Sequence, residues 1–327
     1  MYYMDQGLGL KSLATVFALF CLMETLAGGN LVQANSIATA LHASFGWNRL
    51  AVGIVIALLT GAVILGGIGR IGKVSERLVP CMAVFFLAGG LTVILCNASS
   101  LPGALHDVFA CALSPKAALG GYGMAAALRY GVARGVFTNE AGLGTSAMAH
   151  AAADVDRPAQ QGMWGIFEVF VATIVVCSVT GLVILTTGVY DPAAALGAIA
   201  SGSVADSMLG APLSSAAFSS VFGPFGGVFV ALCLLLFAFT SLLGTSYYGE
   251  QCLSYLTGSR RFIPFYRAVF LCAVVLGSIG DLSAMWLLVD LFNGLMALPN
   301  LTALLLLSGE AVRLIRQFCA DSEGRRA

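Results

Sequence analysis

Three sets of polar side chains sit inside otherwise apolar runs of this sequence. Oxygen donors in such places suit the binding of a hard cation or a small polar solute. The first set lies in RGVFTNEAGLGT, residues 134–145, where Asn139 and Glu140 are flanked by Gly135, Gly142 and Gly144. The second is FTSLLGT, with Thr240, Ser241 and Thr245 on one stretch and Gly244 allowing close approach. The third is Glu24, followed by Asn30, Gln33 and Asn35. Each set also has a packing role open to it. Ser and Thr hydroxyls bond back to their own helix, glycine-rich helices pack tightly, and Glu24 suits an interior ion pair, with Arg129 or Arg134 as partner. Glu168, Asp290 and Asn293 serve equally well as polar contacts between helices. There is no HExxH, no GxSxG and no GxxxxGK[ST], so neither an intramembrane protease nor an ATP-driven pump finds support. Nine scattered cysteines without a CxxC pair read as small buried hydrophobes.

The elements that must position these groups are membrane helices. Of the 327 residues 59% are hydrophobic and 10% charged, and the mean hydropathy is +0.92. Soluble domains carry about 25% charged residues. The composition therefore predicts an all-α integral membrane protein, a polytopic helix bundle forming a single transmembrane domain over 1–327. Equal numbers of acidic and basic residues leave no basic excess for nucleic acid. The opening MYYMDQGLGLK lacks the pattern of a signal peptide.

Runs of about 20 apolar residues predict eight spans, at 12–41, 49–68, 78–96, 117–153 (interrupted), 162–187, 217–256, 262–280 and 283–316. Within the first, Phe17, Phe20, Glu24, Gly28, Leu31 and Asn35 fall on one helical stripe. Lysine and arginine concentrate before the first span, in the 70–77 segment, near 157, at 260–267 and after 313. These sites share one side only if 283–316 is a single span through Pro299. The positive-inside rule then puts both termini in the cytoplasm. In the fourth span RGVFTNEAGLGT should break a helix at mid-membrane. Glycine-broken backbone is tolerated there only where it faces protein or a wet cavity, and secondary transporters use such breaks to hold substrate and ions.

ARGVFTNEAGLGTSAMAHAAA followed by QGMWGIFEVF closely resembles the signature of the sodium:alanine symporter family. GNLVQANSIA, GGIGRIGKVSERLVPCMAVFF, SYYGEQCLSYL and DLFNGLMALPNLTALLLLSG extend the resemblance in order from Met1 to about Gly309. It implies a cell-membrane importer of alanine, glycine or a similar small neutral amino acid. Sodium would be the coupling ion, with the proton taking that role in some members and no cofactor. The implied partners are amino acid, sodium and the lipid bilayer, with no oligomeric state specified. The implied fold is the five-plus-five inverted repeat of LeuT-like transporters, working by alternating access. Segment 12–41 would be core helix three, 117–153 the broken core helix six, 217–256 core helix eight and 283–316 core helix ten.

The resemblance also implies roles. Phe17, Phe20 and Met23 would form an apolar wall of the substrate pocket, with Glu24, Asn139, Ser241 and Thr245 facing the substrate and Thr240 a sodium ligand. Gly135, Glu140, Gly142, Gly144, Asn293 and Pro299 would shape and gate the broken and kinked helices. Three positions depart from the pattern. Thr245 replaces an indole, Glu24 replaces a small residue, and Ala172 stands where a carboxylate is usual. A larger, more polar pocket follows as an expectation, for a bigger substrate or one carrying a cation that pairs with Glu24. Two core helices of the family precede the point that Met1 matches, so the sequence is expected to be N-terminally truncated, lacking core helices one and two. The alternative is a membrane protein derived from that family that does not transport.

Overall fold

The computed structural model describes residues 1–113, 122–190 and 210–324, and every regular element among them is helical. The first long helix, Lys11–Phe45, consists of α1 (Lys11–Leu26), a π-helical turn (Ala27–Val32) and α2 (Gln33–Phe45). It ends at Gly46, whose φ of 70° no β-branched residue would tolerate. Asn48 then caps α3 (Arg49–Ile64) by accepting the N–H groups of Leu50 and Ala51.

Helix α4 (Gly67–Cys96) begins well before the expected residue 78. Arg70, Lys73 and Arg77 fall three or four residues apart within α4, so the basic stretch is a polar helical extension, not a loop. Arg70 Nη1 also caps the end of α3 by donating to Ala62 O at 2.8 Å. After α5 (Leu101–Leu113) come α6 (Tyr122–Asn139) and the short α7 (Ser146–His150), separated by a non-helical break. The predicted start of that span, 117–121, lies outside the described residues. Helix α8 (Pro158–Val169), a π-helical turn (Phe170–Val176) and α9 (Cys177–Thr186) form the next span.

The span expected over 217–256 is divided. Gly223, at φ 58°, and Pro224 turn the chain between α10 (Gly210–Phe222) and α11 (Phe225–Thr257), and the two helices pack as a hairpin. Helix α12 (Ile263–Ile279) is followed by α13 (Leu282–Gly324), which is continuous through Pro299. The single last span read from the sequence is therefore one helix. Its exposed leucines, among them Leu287, Leu298 and Leu305, contrast with the buried Val289, Asn293, Met296, Asn300 and Ala303 on the other side. One face suits lipid and the other the bundle.

Among the described residues six helices are long and apolar enough to cross a membrane: Lys11–Phe45, Gly67–Cys96, Pro158–Thr186, Phe225–Thr257, Arg260–Ile279 and Ala284–Asp321. Six of the eight expected spans are matched, among the described residues, by such helices, and the other two by shorter pieces. Helix α3 has 16 residues, or about 24 Å at 1.5 Å per residue, short of a hydrocarbon core about 30 Å thick. The α6–α7 segment is broken by the very residues that made it conspicuous. The architecture is that of a multi-pass membrane protein. Its centre is α1 and the π turn, held between α11, α12 and α13.

Candidate functional site

The centre of the bundle is organised by Gly28 and Gly29. A β-carbon on Gly29 would lie 2.4 Å from Thr245 Cγ2 of α11, and one on Gly28 would lie 2.6 Å from Glu24 Oε1 and 3.0 Å from Val289 Cγ2 of α13. Only glycine lets the three helices come this close. Thr245 Oγ1 reaches Gly29 O at 3.1 Å while sharing its proton with Ser241 O at 2.9 Å. The Gly29 carbonyl is thus engaged by a side chain of the neighbouring helix. Side-chain insertion into the helical ladder is a recognised cause of helix distortion, and it accounts for the π turn at Ala27–Val32. Such turns are frequent at functional sites. Asn30 and Asn35 anchor the same helix to α12, with Asn30 Nδ2 donating to Phe270 O at 2.7 Å and Asn35 Nδ2 to Gly277 O at 3.0 Å.

The break between α6 and α7 faces this centre. Asn139 Oδ1 accepts the Ala141 N–H at 2.9 Å, the local turn that asparagine favours over continued helix. Glu140 follows at φ 51°, and Gly142 and Gly144 both lie at φ 89°. A non-glycine residue with positive φ is uncommon, and here Glu140 is held by a 2.6 Å bond from Thr145 Oγ1. Asn300 Nδ2 of α13 donates to Gly142 O at 2.8 Å, while Tyr3 O–H donates to Asn300 Oδ1. Phe17 and Asn300 both come within 2.8 Å of where a Gly144 β-carbon would be. The break is therefore a defined structure clamped by α1 and α13.

Beside it lies a cavity of about 110 Å³, lined by Asn139, Glu140, Ser146, His150, Glu168, Ala172 and Tyr248. His150 Nε2 is 3.5 Å from Glu168 Oε2, and Gln161 Nε2 is 2.7 Å from His150 Nδ1. The volume suits a few waters or a small polar solute.

The structure brings together Phe17, Glu24, Asn139, Glu140, Gly142, Gly144 and Thr245, buries Asn293 on α13, and spreads the remaining candidates. Phe17 is fully buried, and Phe20 is half-buried beside the same cluster. Met23 is 43% exposed and Ser241 is exposed, so neither faces the closed centre. Thr245 is pressed against Gly29 and does not line the cavity. Thr240 donates back to Phe237 O at 2.8 Å and to Leu236 O at 3.2 Å, with Met82 Sδ at 3.8 Å. That is the helix back-bonding which the sequence left as the alternative. Gly135 lies inside α6, not in the break, because the helix continues to Asn139. Pro299 is inside α13, adjacent to the clamp residue Asn300.

Glu24 does not pair with Arg134. That arginine instead bridges to Asp290 Oδ2 at 2.8 Å, with its guanidinium 3.9 Å from the Trp286 ring centroid. Among the described residues no basic side chain pairs with Glu24, and the Arg129 side chain lies outside them. Sequence reading missed Asn300, whose mid-span position after Pro299 was the available signal. It also missed the His150–Gln161–Glu168 group, because three residues from separate elements leave no spacing signature.

Comparison with known proteins gives this geometry a context. The family model of the sodium:alanine symporter family matches residues 1–326. The sodium/alanine symporter AgcS of Methanococcus maripaludis is 40% identical over 322 residues, 97% of this chain and 68% of the relative. The probable sodium/glutamine symporter GlnT of Bacillus subtilis is 36% identical over 310 residues, 94% of this chain and 61% of the relative. The amino-acid carrier protein AlsT of Bacillus subtilis is 34% identical over 317 residues, 97% and 65% of the two chains. This chain spans about two thirds of the length of these relatives. The family match begins at residue 1 and so lends no support to the expected N-terminal truncation. The family is one of transporters, not enzymes, and on the match across its length this chain belongs to the sodium:alanine symporter family.

Proposed function

We propose that the protein takes part in sodium-coupled symport of alanine, glycine or a similar small neutral amino acid across the cell membrane, with both termini in the cytoplasm. The observation that carries this reading is the family match over residues 1–326. The names of the relatives, with alanine, glutamine or amino acids as their cargo, support amino acids as the substrate class. The broken α6–α7 segment supports it independently. It puts a carboxylate and an amide at a broken helix beside a small cavity, the kind of arrangement that secondary transporters use.

In this reading the bundle is of the LeuT-like type. Lys11–Phe45 plays the part of the third core helix, α6–α7 the sixth, α11 the eighth and α13 the tenth. Phe17, Phe20 and Met23 then belong to the wall of the substrate path. Asn139, Ser241 and Thr245 meet the substrate when the path is open, and Thr240 contributes to the sodium site in that state. Glu140 with Gly142 and Gly144 forms the gate. The closed centre seen here, with Phe17 fully buried and Thr245 on Gly29, corresponds to a state without an open pocket. Sodium is the driving ion.

The test is uptake of radiolabelled alanine into proteoliposomes carrying the protein. An inward sodium gradient should drive accumulation, an equal potassium gradient should not, and excess unlabelled glycine should compete. No accumulation with sodium, in liposomes shown to contain folded protein, would remove the reading.

A further inference from the structure

The short helical turn Tyr3–Gly7 precedes α1, yet it is seated between three helices and the break. Met4 is fully buried, in a cluster with Phe17 and Cys21 of α1, Leu143 of the break, Cys252 of α11 and Met296 of α13. Tyr255, near the end of α11, donates its hydroxyl to Asp5 Oδ2 at 2.9 Å. The Tyr2 ring stands edge-on to the Tyr255 ring, with centroids 5.3 Å apart. Residues 2–5 thereby bridge α11 to α13, where Tyr3 O–H donates to Asn300 Oδ1.

The Tyr3 bond bears on the break because Asn300 has both ends of its amide engaged. The Gly142 carbonyl can only accept, so it takes Asn300 Nδ2, at 2.8 Å. That leaves Oδ1 on the other side, and Asn300 is 1% exposed, so this oxygen needs a donor from the protein. Among the described residues Tyr3 supplies it. With the amide reversed, Oδ1 would oppose the Gly142 carbonyl and bring two acceptors together, which is costly in a buried place. The Tyr3 hydroxyl therefore favours the one orientation in which Asn300 clamps the break. Oδ1 also lies 2.8 Å from where a Gly144 β-carbon would be, so a shift of this amide is felt at both glycines.

We propose that Tyr3 is a positioning residue for the candidate path. Seating of residues 2–7 between α11 and α13 presents its hydroxyl to Asn300, and Asn300 then holds the break in its closed form. Release of the turn frees the Asn300 amide to rotate and lets 140–145 change conformation. The turn is thus a strap on the gate formed by Glu140, Gly142 and Gly144, a role that rests on the transport reading.

The first test does not depend on transport. Tyr3→Phe keeps the ring and removes the donor, while Tyr255→Phe loosens the turn on its far side without touching Asn300. In the full chain in lipid nanodiscs, both should raise amide hydrogen exchange within 140–145 about fivefold, the effect of one lost hydrogen bond, and leave α12 protected. Adding Tyr3→Phe to Asn300→Ala should raise it no further than Asn300→Ala alone, because Tyr3 acts through that amide. Cys252, fully buried in the cluster under the turn, reports the seating. As the sole cysteine it should react faster with a maleimide in Tyr255→Phe than in the parent. In proteoliposomes Tyr3→Phe should change the maximal rate of sodium-driven alanine uptake per folded molecule and leave KM unchanged. Unchanged exchange at 140–145 in Tyr3→Phe, a rise spread over the whole chain, or additive effects with Asn300→Ala would overturn the proposal. Faster Cys252 labelling without a rise at 140–145, or an unchanged maximal rate, would do the same. Absence of uptake in the parent would remove the transport reading, and the exchange pattern would still decide whether Tyr3 sets the break.

Discussion

A single peptide unit, that of Gly29, shows how this bundle is assembled. Its carbonyl is taken by Thr245, and the absence of a β-carbon lets α11 make that contact. Gly29→Ala forces a methyl to within 2.4 Å of Thr245 Cγ2, so it should lower stability by about 1–3 kcal/mol, the usual range for overpacking. If the clash is the cause, Thr245→Ala added to Gly29→Ala should recover part of the loss. Chemical unfolding of the two single variants and the double variant in detergent measures the coupling. Additive losses would place the cost of Gly29→Ala in the backbone. Much at this scale was legible in the sequence. The polar residues Glu24, Asn139 and Glu140 stood out against apolar surroundings, and the helical stripe joined Phe17 to Glu24. Their partners were not legible. The contacts Arg134–Asp290 and Asn300–Gly142 join residues 156 and 158 positions apart, and helical spacing carries no information about such pairs.

At the scale of elements, the break between α6 and α7 is held by a neighbour as much as by its own glycines. Asn300→Ala would leave the Gly142 carbonyl without its partner, at a cost of about 1–3 kcal/mol. Amide hydrogen exchange should rise within 140–145 while α11 stays protected. A uniform rise across the chain would mean that Asn300 serves overall folding instead. A second clamp joins α11 to α12, where Glu250 receives Arg267 through two bonds of 2.6 Å and 3.0 Å with little exposure of either side chain. Removing one partner of such a pair strands the other, so Glu250→Gln should cost about 3 kcal/mol or more in thermal unfolding. A loss within the range of exposed pairs would show that water reaches the site. Helix boundaries were read less well than helix existence. Apolar length alone did not reveal that Gly223–Pro224 divides one expected span, nor that the charged 70–77 stretch is helical. Both outcomes depend on backbone conformation and capping, which hydropathy does not contain.

For the whole molecule, the lysine and arginine pattern and the unbroken α13 together predict that the C-terminal end is cytoplasmic. A variant keeping Cys319 as its sole cysteine, a residue exposed on α13, should react with a membrane-impermeant maleimide only from the cytoplasmic side. Labelling from the outside would invert the topology. The membrane class and the family were legible from composition and a few long motifs, and six of the eight expected spans are matched by long apolar helices among the described residues. One segment is broken and another is too short, for reasons visible only once the helices are packed.

Whether the two solutes move together tests the account most directly. Proteoliposomes containing the protein would be loaded with potassium and given ²²Na⁺ and tritiated alanine outside, and both isotopes would be counted on the same filters. Symport predicts that alanine increases sodium entry, that sodium increases alanine entry, and that the two rise in a fixed ratio. Sodium entry indifferent to alanine, or alanine entry indifferent to sodium, would contradict it.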